Sequence, residues 1–173
     1  MQKYVLGGGC FWCLDSAYVQ FKGIVDVTCG YTGGEKLSPT YEQVCDGNTG
    51  HAEVVSVTFD ENLISSDQIL DIFFTLHDPT QLNRQGGDIG TQYRSSMFYA
   101  SPEQLDIFQA GVQRAKEIWG DSVVTSLEPL GEFFDAEQYH QDFFAKNPNQ
   151  GYCMAVVAPK VAKVRARFTD LLL

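Results

Sequence analysis

Apolar positions along the chain switch between a period of two and a helical period near three and a half, and the switches mark out alternating strands and helices. Residues 3–7 carry Tyr4, Val5 and Leu6 and predict a strand, which runs into Gly7-Gly8-Gly9. Residues 10–22 predict a helix. The run 24–31 alternates and is rich in β-formers, so it predicts a second strand. A loop over 32–39 holds glycines and a proline, and a helical turn follows at 41–44. Residues 52–59 form the strongest strand pattern, with Val55, Val57 and Phe59 on one face. Ser66 or Asp67 is placed to cap a helix carrying Ile69, Leu70, Ile72, Phe73 and Leu76.

The polar segment 77–90 predicts a long irregular loop, and such loops inside a compact domain are uncommon and often functional. Residues 94–100 predict a strand, Ser101-Pro102-Glu103 opens a helix to about Trp119, and 122–127 predict another strand. Asp135 is expected to cap a helix over 136–145. Asn147-Pro148-Asn149-Gln150-Gly151 turns the chain before Cys153, and a last helix is expected over 160–170. No repeat or linker interrupts the pattern, which predicts one α/β or α+β domain spanning 1–173.

Composition narrows the classes of function. With 44% hydrophobic and 13% aromatic residues, the chain has the make-up of a globular protein with a real core. A net charge of −10 weighs against a nucleic-acid surface. The one basic cluster, from Lys160 to Arg167, alternates charge with apolar residues and reads as the solvated face of the terminal helix. No apolar run is long enough to span a membrane and the N-terminus lacks a secretory pattern, so a cytoplasmic location is expected.

Five cysteines, Cys10, Cys13, Cys29, Cys45 and Cys153, cannot all pair, and their spacing is not that of a small secreted scaffold. Cys29 and Cys45 read as inert core thiols. Cys10 differs, because it follows a glycine turn where a helix begins. Free amides and the helix dipole favour an anion there, which predicts a thiol pKa below the free value of about 8.5. Cys10 and Cys13 also spell C-x-x-C, a thioredoxin-like dithiol or half of a zinc site. Zinc would need two further ligands, and His51, His77 and His140 are isolated. Glu53 reads either as a solvent-facing strand residue or as a carboxyl in an apolar site, able to give up a proton. His51 reads as a loop histidine or a site residue. Tyr41 and Tyr93 are the tyrosines whose loop settings let a phenol face a ligand.

The ordered set Gly9-Cys10-Phe11-Trp12, Gly30-Tyr31-Thr32-Gly33-Gly34, Pro39-Thr40-Tyr41-Glu42-Gln43-Val44-Cys45 and Thr49-Gly50-His51-Ala52-Glu53 resembles the A-type peptide methionine sulfoxide reductases. The same resemblance continues through Asp78-Pro79-Thr80, Asp88-Ile89-Gly90-Thr91-Gln92-Tyr93-Arg94-Ser95, Ala136-Glu137-Gln138-Tyr139-His140-Gln141 and Asn147-Pro148-Asn149-Gln150-Gly151-Tyr152-Cys153. It implies a two-layer, ferredoxin-like α/β (α+β) sandwich with a mixed sheet. It implies repair of oxidised methionine by reduction of the S epimer of its sulfoxide, free or in peptides.

On this resemblance Cys10 is the nucleophile and Glu53 the proton donor. Tyr41 and Tyr93 hold the sulfoxide oxygen, Phe11 and Trp12 form the methyl pocket, His51 adds to the substrate contacts and Asp88 helps arrange the site. The Cys10 sulfenic acid is resolved by a second thiol. Cys153 matches the family's usual resolving position and is favoured, with Cys13 as rival or second relay where the family often has glycine. Thioredoxin is the implied reductant, a monomer is expected, and no metal or organic cofactor is needed. Two other readings are a general dithiol oxidoreductase on Cys10 and Cys13, whose exchange would survive Glu53→Gln, and a sulfoxide-binding module that forms no methionine.

Overall fold

The computed structural model describes residues 1–173. Strand β1 (Gln2–Gly7) leads into helix α1 (Phe11–Tyr18), β2 (Ile24–Thr32), α2 (Tyr41–Cys45) and β3 (Ala52–Phe59). Helix α3 (Ser66–Leu76) follows, then a two-stranded hairpin of β4 (Arg84–Gln85) and β5 (Asp88–Ile89), then β6 (Ser96–Tyr99) and α4 (Pro102–Trp119). The chain ends with β7 (Ser126–Pro129), β8 (Phe134–Asp135), α5 (Phe143–Lys146) and α6 (Ala158–Arg167).

Six strands form one sheet in the order β7-β6-β1-β3-β2-β8. Every neighbour is antiparallel except β6 and β7, so the sheet is mixed, as expected. The inner four strands give the split βαβ arrangement of a ferredoxin-like fold, with β3 returning between β1 and β2. The main core, 30 buried residues, lies between this sheet and α1, α3, α4 and α6. A smaller cluster of Val5, Ala52, Val54 and Phe98 occupies the opposite face, closed by Leu130 and Phe133. Strand β3 is therefore covered on both faces. The alternation that turns Val55, Val57 and Phe59 into the main core also turns Glu53 toward it.

Several sequence expectations shift. Helix α1 stops at Tyr18 rather than residue 22, because Phe21 and Lys22 are taken by the C-terminal segment: Lys22 N–H donates to the Leu171 carbonyl at 2.8 Å and Phe21 bridges Leu172. The cap of α3 is Ser65. Its hydroxyl accepts from Gln68 N–H in a reciprocal capping box, while Ser66 lies inside the helix with its hydroxyl on Tyr4. The irregular segment contains the β4–β5 hairpin, and the strand expected over 122–127 forms at Ser126–Pro129.

The helix expected over 136–145 is replaced by three pieces. Phe134–Asp135 adds an edge strand to β2, a 3-10 turn covers Gln138–His140, and only Phe143–Lys146 is α-helical. The final helix begins earlier than residue 160. A helical path from Gly151 passes through a π-helical stretch at Cys153–Val157 before α6. Pro159 has no N–H to offer the Ala155 carbonyl and its ring crowds that position, which accounts for the widened turn. No helix is long and apolar enough to cross a membrane.

Candidate active site

Gly9 adopts φ +89°, and a Cβ there would lie 2.8 Å from Gln85 Cγ, so the turn from β1 into α1 is a glycine position. The turn sets Cys10 as the N-cap of α1, 9% exposed. The side chain of Glu53, 1% exposed, reaches across from β3 to the same helix start. Its Oε1 accepts the Phe11 N–H at 3.2 Å, while Oε2 is buried with no partner. Burial raises the Glu53 pKa from 4.5 to about 8, and the charge of Asp88 adds to this while the Phe11 N–H opposes it. At neutral pH the group is a carboxylic acid, so the proton-donor reading of the sequence has a physical basis and the solvent-facing one does not.

The Cys10 expectation is corrected. Its thiol pKa is raised well above the ordinary value, first by burial, then by the charges of Glu53, Cys13 and Asp88. The Trp12 N–H does favour the thiolate, as a helix start should. That local effect is smaller than the cost of placing an anion in an apolar site beside a carboxyl.

Two phenols complete the polar side. Tyr41 opens α2, whose N-terminus is tied down twice: Thr40 and Gln43 form a capping box, and Glu137 Oε2 accepts the Tyr41 N–H at 2.9 Å. The other Glu137 oxygen accepts from Tyr31 Oη at 2.9 Å. Tyr93 ends a 3-10 turn at Thr91–Tyr93, and the neighbouring Gln92 donates to the Cys45 carbonyl at 3.3 Å, which joins this turn to the end of α2. Burial and the Cys45 side chain raise the Tyr41 pKa; burial and the charge of Glu53 raise that of Tyr93. Both hydroxyls stay protonated and available as donors. Cys45 is only half-buried beside these phenols, not the core thiol its sequence suggested. Asp88 accepts from Tyr152 Oη at 2.5 Å.

The apolar side is built from α1 and from residues 137–143. Phe11 is fully buried and packs 5.7 Å from Tyr31 and 6.4 Å from Tyr41. Trp12 is half-buried and stacks on Phe143 at 3.7 Å and 4°. Its indole N–H donates to His140 Nδ1 at 3.1 Å. Asp15, one turn further along α1, accepts the Asp142 N–H at 2.9 Å, and burial raises its pKa to about 7.

The structure thus gathers Cys10, Phe11, Trp12, Tyr41, Glu53, Asp88 and Tyr93 around one helix start. His51 is engaged elsewhere. Its Nδ1 accepts from Gly34 N–H at 3.0 Å and its Nε2 donates to the Lys36 carbonyl at 2.7 Å, so it fastens a loop and has no free polar atom for a ligand. All five cysteines are free thiols. Cys13 and Cys153 are both buried; Cys13 has a pKa of about 11, raised by burial and by the charges of Asp88 and Cys153 against Lys160. No group of three His, Cys, Asp or Glu side chains is close enough to hold a metal ion. Sequence reasoning missed His140, Phe143, Glu137 and Asp15. For Glu137, His140 and Phe143 the only available signal was their place in or near the Ala136-to-Gln141 motif; Asp15, on α1, had none.

A buried thiol at a helix start, a neutral carboxylic acid beside it and an aromatic wall on a split βαβ sheet define a thiol-based oxidoreductase. The family model described as peptide methionine sulfoxide reductase matches residues 2–172, and the chain belongs to this family. It is similar to the peptide methionine sulfoxide reductase MsrA of Clavibacter michiganensis subsp. michiganensis, 59% identical over 170 residues that make up 98% of this chain and 97% of the relative. The MsrA of Acinetobacter baumannii (strain AYE) is 49% identical over 99% of both chains. Among solved structures, reduced Mxr1 from Saccharomyces cerevisiae matches with TM-score 0.83 and 37% identity over 88% of each chain. Methionine sulfoxide reductase A of Corynebacterium diphtheriae matches with TM-score 0.81 and 33% identity over 89% of this chain and 78% of that one. The activity of the chain is methionine sulfoxide reduction.

Proposed function

We propose that the chain reduces the S epimer of methionine sulfoxide, free or in peptides, by attack of Cys10 on the sulfoxide sulfur. The reading rests on one observation: Glu53 is fully buried at the nucleophile's helix start, held neutral to about pH 8, with one carboxyl oxygen unpartnered. A sulfoxide oxygen leaves only after protonation, and a positioned neutral acid supplies that proton. Tyr41 and Tyr93 donate hydrogen bonds to the same oxygen and stabilise its developing charge. Phe11 and Trp12 enclose the methyl group. Attack, oxygen and methyl directions are each fixed around a tetrahedral sulfur, and three fixed points admit one hand only. The resemblance to A-type enzymes makes that hand S.

The oxygen moves from substrate sulfur to Cys10, giving methionine and a Cys10 sulfenic acid. A second thiol then attacks the Cys10 sulfur, the S–O bond breaks, and water leaves as a disulfide forms. The sequence favours Cys153 for this step. The position of Cys13 supports a different order: it lies one turn along α1 from Cys10, with its N–H on the Cys10 carbonyl at 3.2 Å, and α1 packs against the Cys153–Val157 segment. On this reading Cys13 resolves first and Cys153 second in a relay. Thioredoxin reduces the final disulfide, a step supported by the solved complex of Mxr1 with Trx2, which is similar to this chain with TM-score 0.59 and 28% identity over 82% of it.

The test is single-turnover reduction of a peptide carrying the S or the R sulfoxide, without thioredoxin, followed by disulfide mapping in Cys13→Ser and Cys153→Ser. One methionine per enzyme from the S peptide alone is expected, with a Cys10–Cys13 bridge trapped in Cys153→Ser. No methionine from either peptide sinks the reading. A Cys10–Cys153 bridge formed at the normal rate in Cys13→Ser restores the order favoured by the sequence.

A further inference from the structure

One buried imidazole touches three of the aromatic side chains around the site. His140 is 1% exposed, and its ring lies 5.1 Å from Phe11 and 4.3 Å from Tyr41. Its Nδ1 accepts the Trp12 indole N–H at 3.1 Å. An accepting Nδ1 fixes the neutral tautomer, with the proton on Nε2. Burial favours that neutral form, against the charges of Glu137 and Glu42.

Trp12 has only two side-chain torsions, and both are held from residues 138–143. Phe143 covers the indole face at 3.7 Å, and His140 takes its N–H at the edge. That segment is itself anchored away from the indole. Gln141 accepts from Cys29 N–H at 2.8 Å and donates to the Cys29 carbonyl at 3.0 Å, and Asp142 N–H donates to Asp15. The stacking contact alone would let the indole slide in its plane. The hydrogen bond fixes the remaining direction, and with it the face that Trp12 presents beside Cys10.

We propose that His140 is a positioning residue of the reductase: its Nδ1 locks the Trp12 indole as the wall of the methyl pocket, and so sets sulfoxide affinity without taking part in the chemistry. The inference rests on the reading of Trp12 as that wall. A misplaced wall weakens ground-state and transition-state binding alike, so half-saturation changes while the maximal rate is kept.

Three variants separate the possibilities in single turnover, where recycling does not contribute. His140→Leu removes the acceptor and keeps the bulk. His140→Asn places an amide oxygen where Nδ1 stands. Trp12→Phe removes the residue acted on. His140→Leu is expected to raise half-saturation for the S-sulfoxide peptide on the order of tenfold, the effect of one lost buried hydrogen bond, with less than about a threefold change in maximal rate. The Trp12 indole N–H resonance moves while that of Trp119 stays. His140→Asn returns both readouts to within about threefold of wild type, and His140→Leu adds nothing further in a Trp12→Phe background. If His140→Leu does not fold, His140→Gln reports the same loss, because its amide reaches the Nε2 position and leaves that of Nδ1 empty. An unmoved indole resonance with unchanged half-saturation overturns the proposal, as does an undiminished effect in the Trp12→Phe background. If Trp12→Phe alone leaves half-saturation unchanged, the pocket reading of Trp12 is what has failed.

Discussion

Replacing Glu53 by Gln separates two consequences of burying one carboxyl group. The pKa of Glu53 is about 8 in the native state against an ordinary 4.5, with burial as the main cause. Between those values the unfolded chain gives up this proton while the native chain keeps it. Native stability therefore declines as pH rises from about 4.5, by up to about 1.4 kcal/mol per pH unit, and the loss is complete above about pH 8. Its full size is on the order of 5 kcal/mol. Gln keeps the shape, keeps an oxygen for the Phe11 N–H and carries no charge. Urea unfolding of the two proteins should coincide near pH 4.5, and Glu53→Gln should be more stable by a few kcal/mol at pH 8.5. Activity should move the other way. Loss of a proton donor costs roughly a hundredfold to ten-thousandfold in the rate of methionine formation in single turnover. A variant that is no more stable than wild type at pH 8.5, or that reduces sulfoxide at a near-normal rate, would refute the reasoning.

Asp15→Asn should raise stability above pH 7 and not at pH 4, because burial lifts this carboxyl to about 7 and its ionised form is the costly one; thermal unfolding at the two pH values checks it. His77 gives the opposite slope. Its Nδ1 donates to the Phe73 carbonyl and its Nε2 accepts from Ser95, both at 2.7 Å, and burial lowers its pKa to about 4. Stability should fall as pH drops from about 6.5 to 4, and His77→Gln, less stable at pH 7, should lose that fall. Tyr41→Phe and Tyr93→Phe should each lower the single-turnover rate about a hundredfold by removing one donor to the oxygen, with little effect on half-saturation. Equal changes in both parameters would instead point to a binding role.

What could be read in advance depended on how far a residue's partners lie along the chain. The Gly9 turn, the start of α1 at Cys10, the short helical turn from Tyr41 and the apolar face of β3 are local patterns, and each lies where the sequence puts it. The failures share a cause. Asp135 looks like a helix cap, but Phe134 and Asp135 pair with Tyr31 and Gly30, about a hundred residues upstream. Glu137 and Gln141 look like the polar face of a helix. In the fold they are claimed by Tyr31, Tyr41 and Cys29, and no local period announces such partners. The thiol of Cys10 shows the same limit in its electrostatics. Its helix start was legible, but the carboxyl and the burial that outweigh it arrive from other strands and loops.

The protons of Cys10 and Glu53 decide how the proposed attack proceeds. Burial disfavours an anion on either group, and a charged Glu53 raises Cys10 further, so the resting site holds both protons at neutral pH. An isolated anion in such a place costs several kcal/mol, which makes a preformed thiolate a poor starting point. A concerted route avoids it: Glu53 passes its proton to the sulfoxide oxygen while taking the Cys10 proton, so the carboxylic acid is regenerated and no net charge develops. The Trp12 N–H, which favours charge on the Cys10 sulfur, then acts while that charge is partial and transient. The two routes differ in their response to pH. Alkylation of Cys10 by iodoacetamide needs a thiolate and no acid, so its rate should climb steeply above pH 8. Sulfoxide reduction should decline over the same range, as Glu53 loses the proton it must donate. Rates that rose together above pH 8 would show that a free thiolate suffices, and the concerted route would fall.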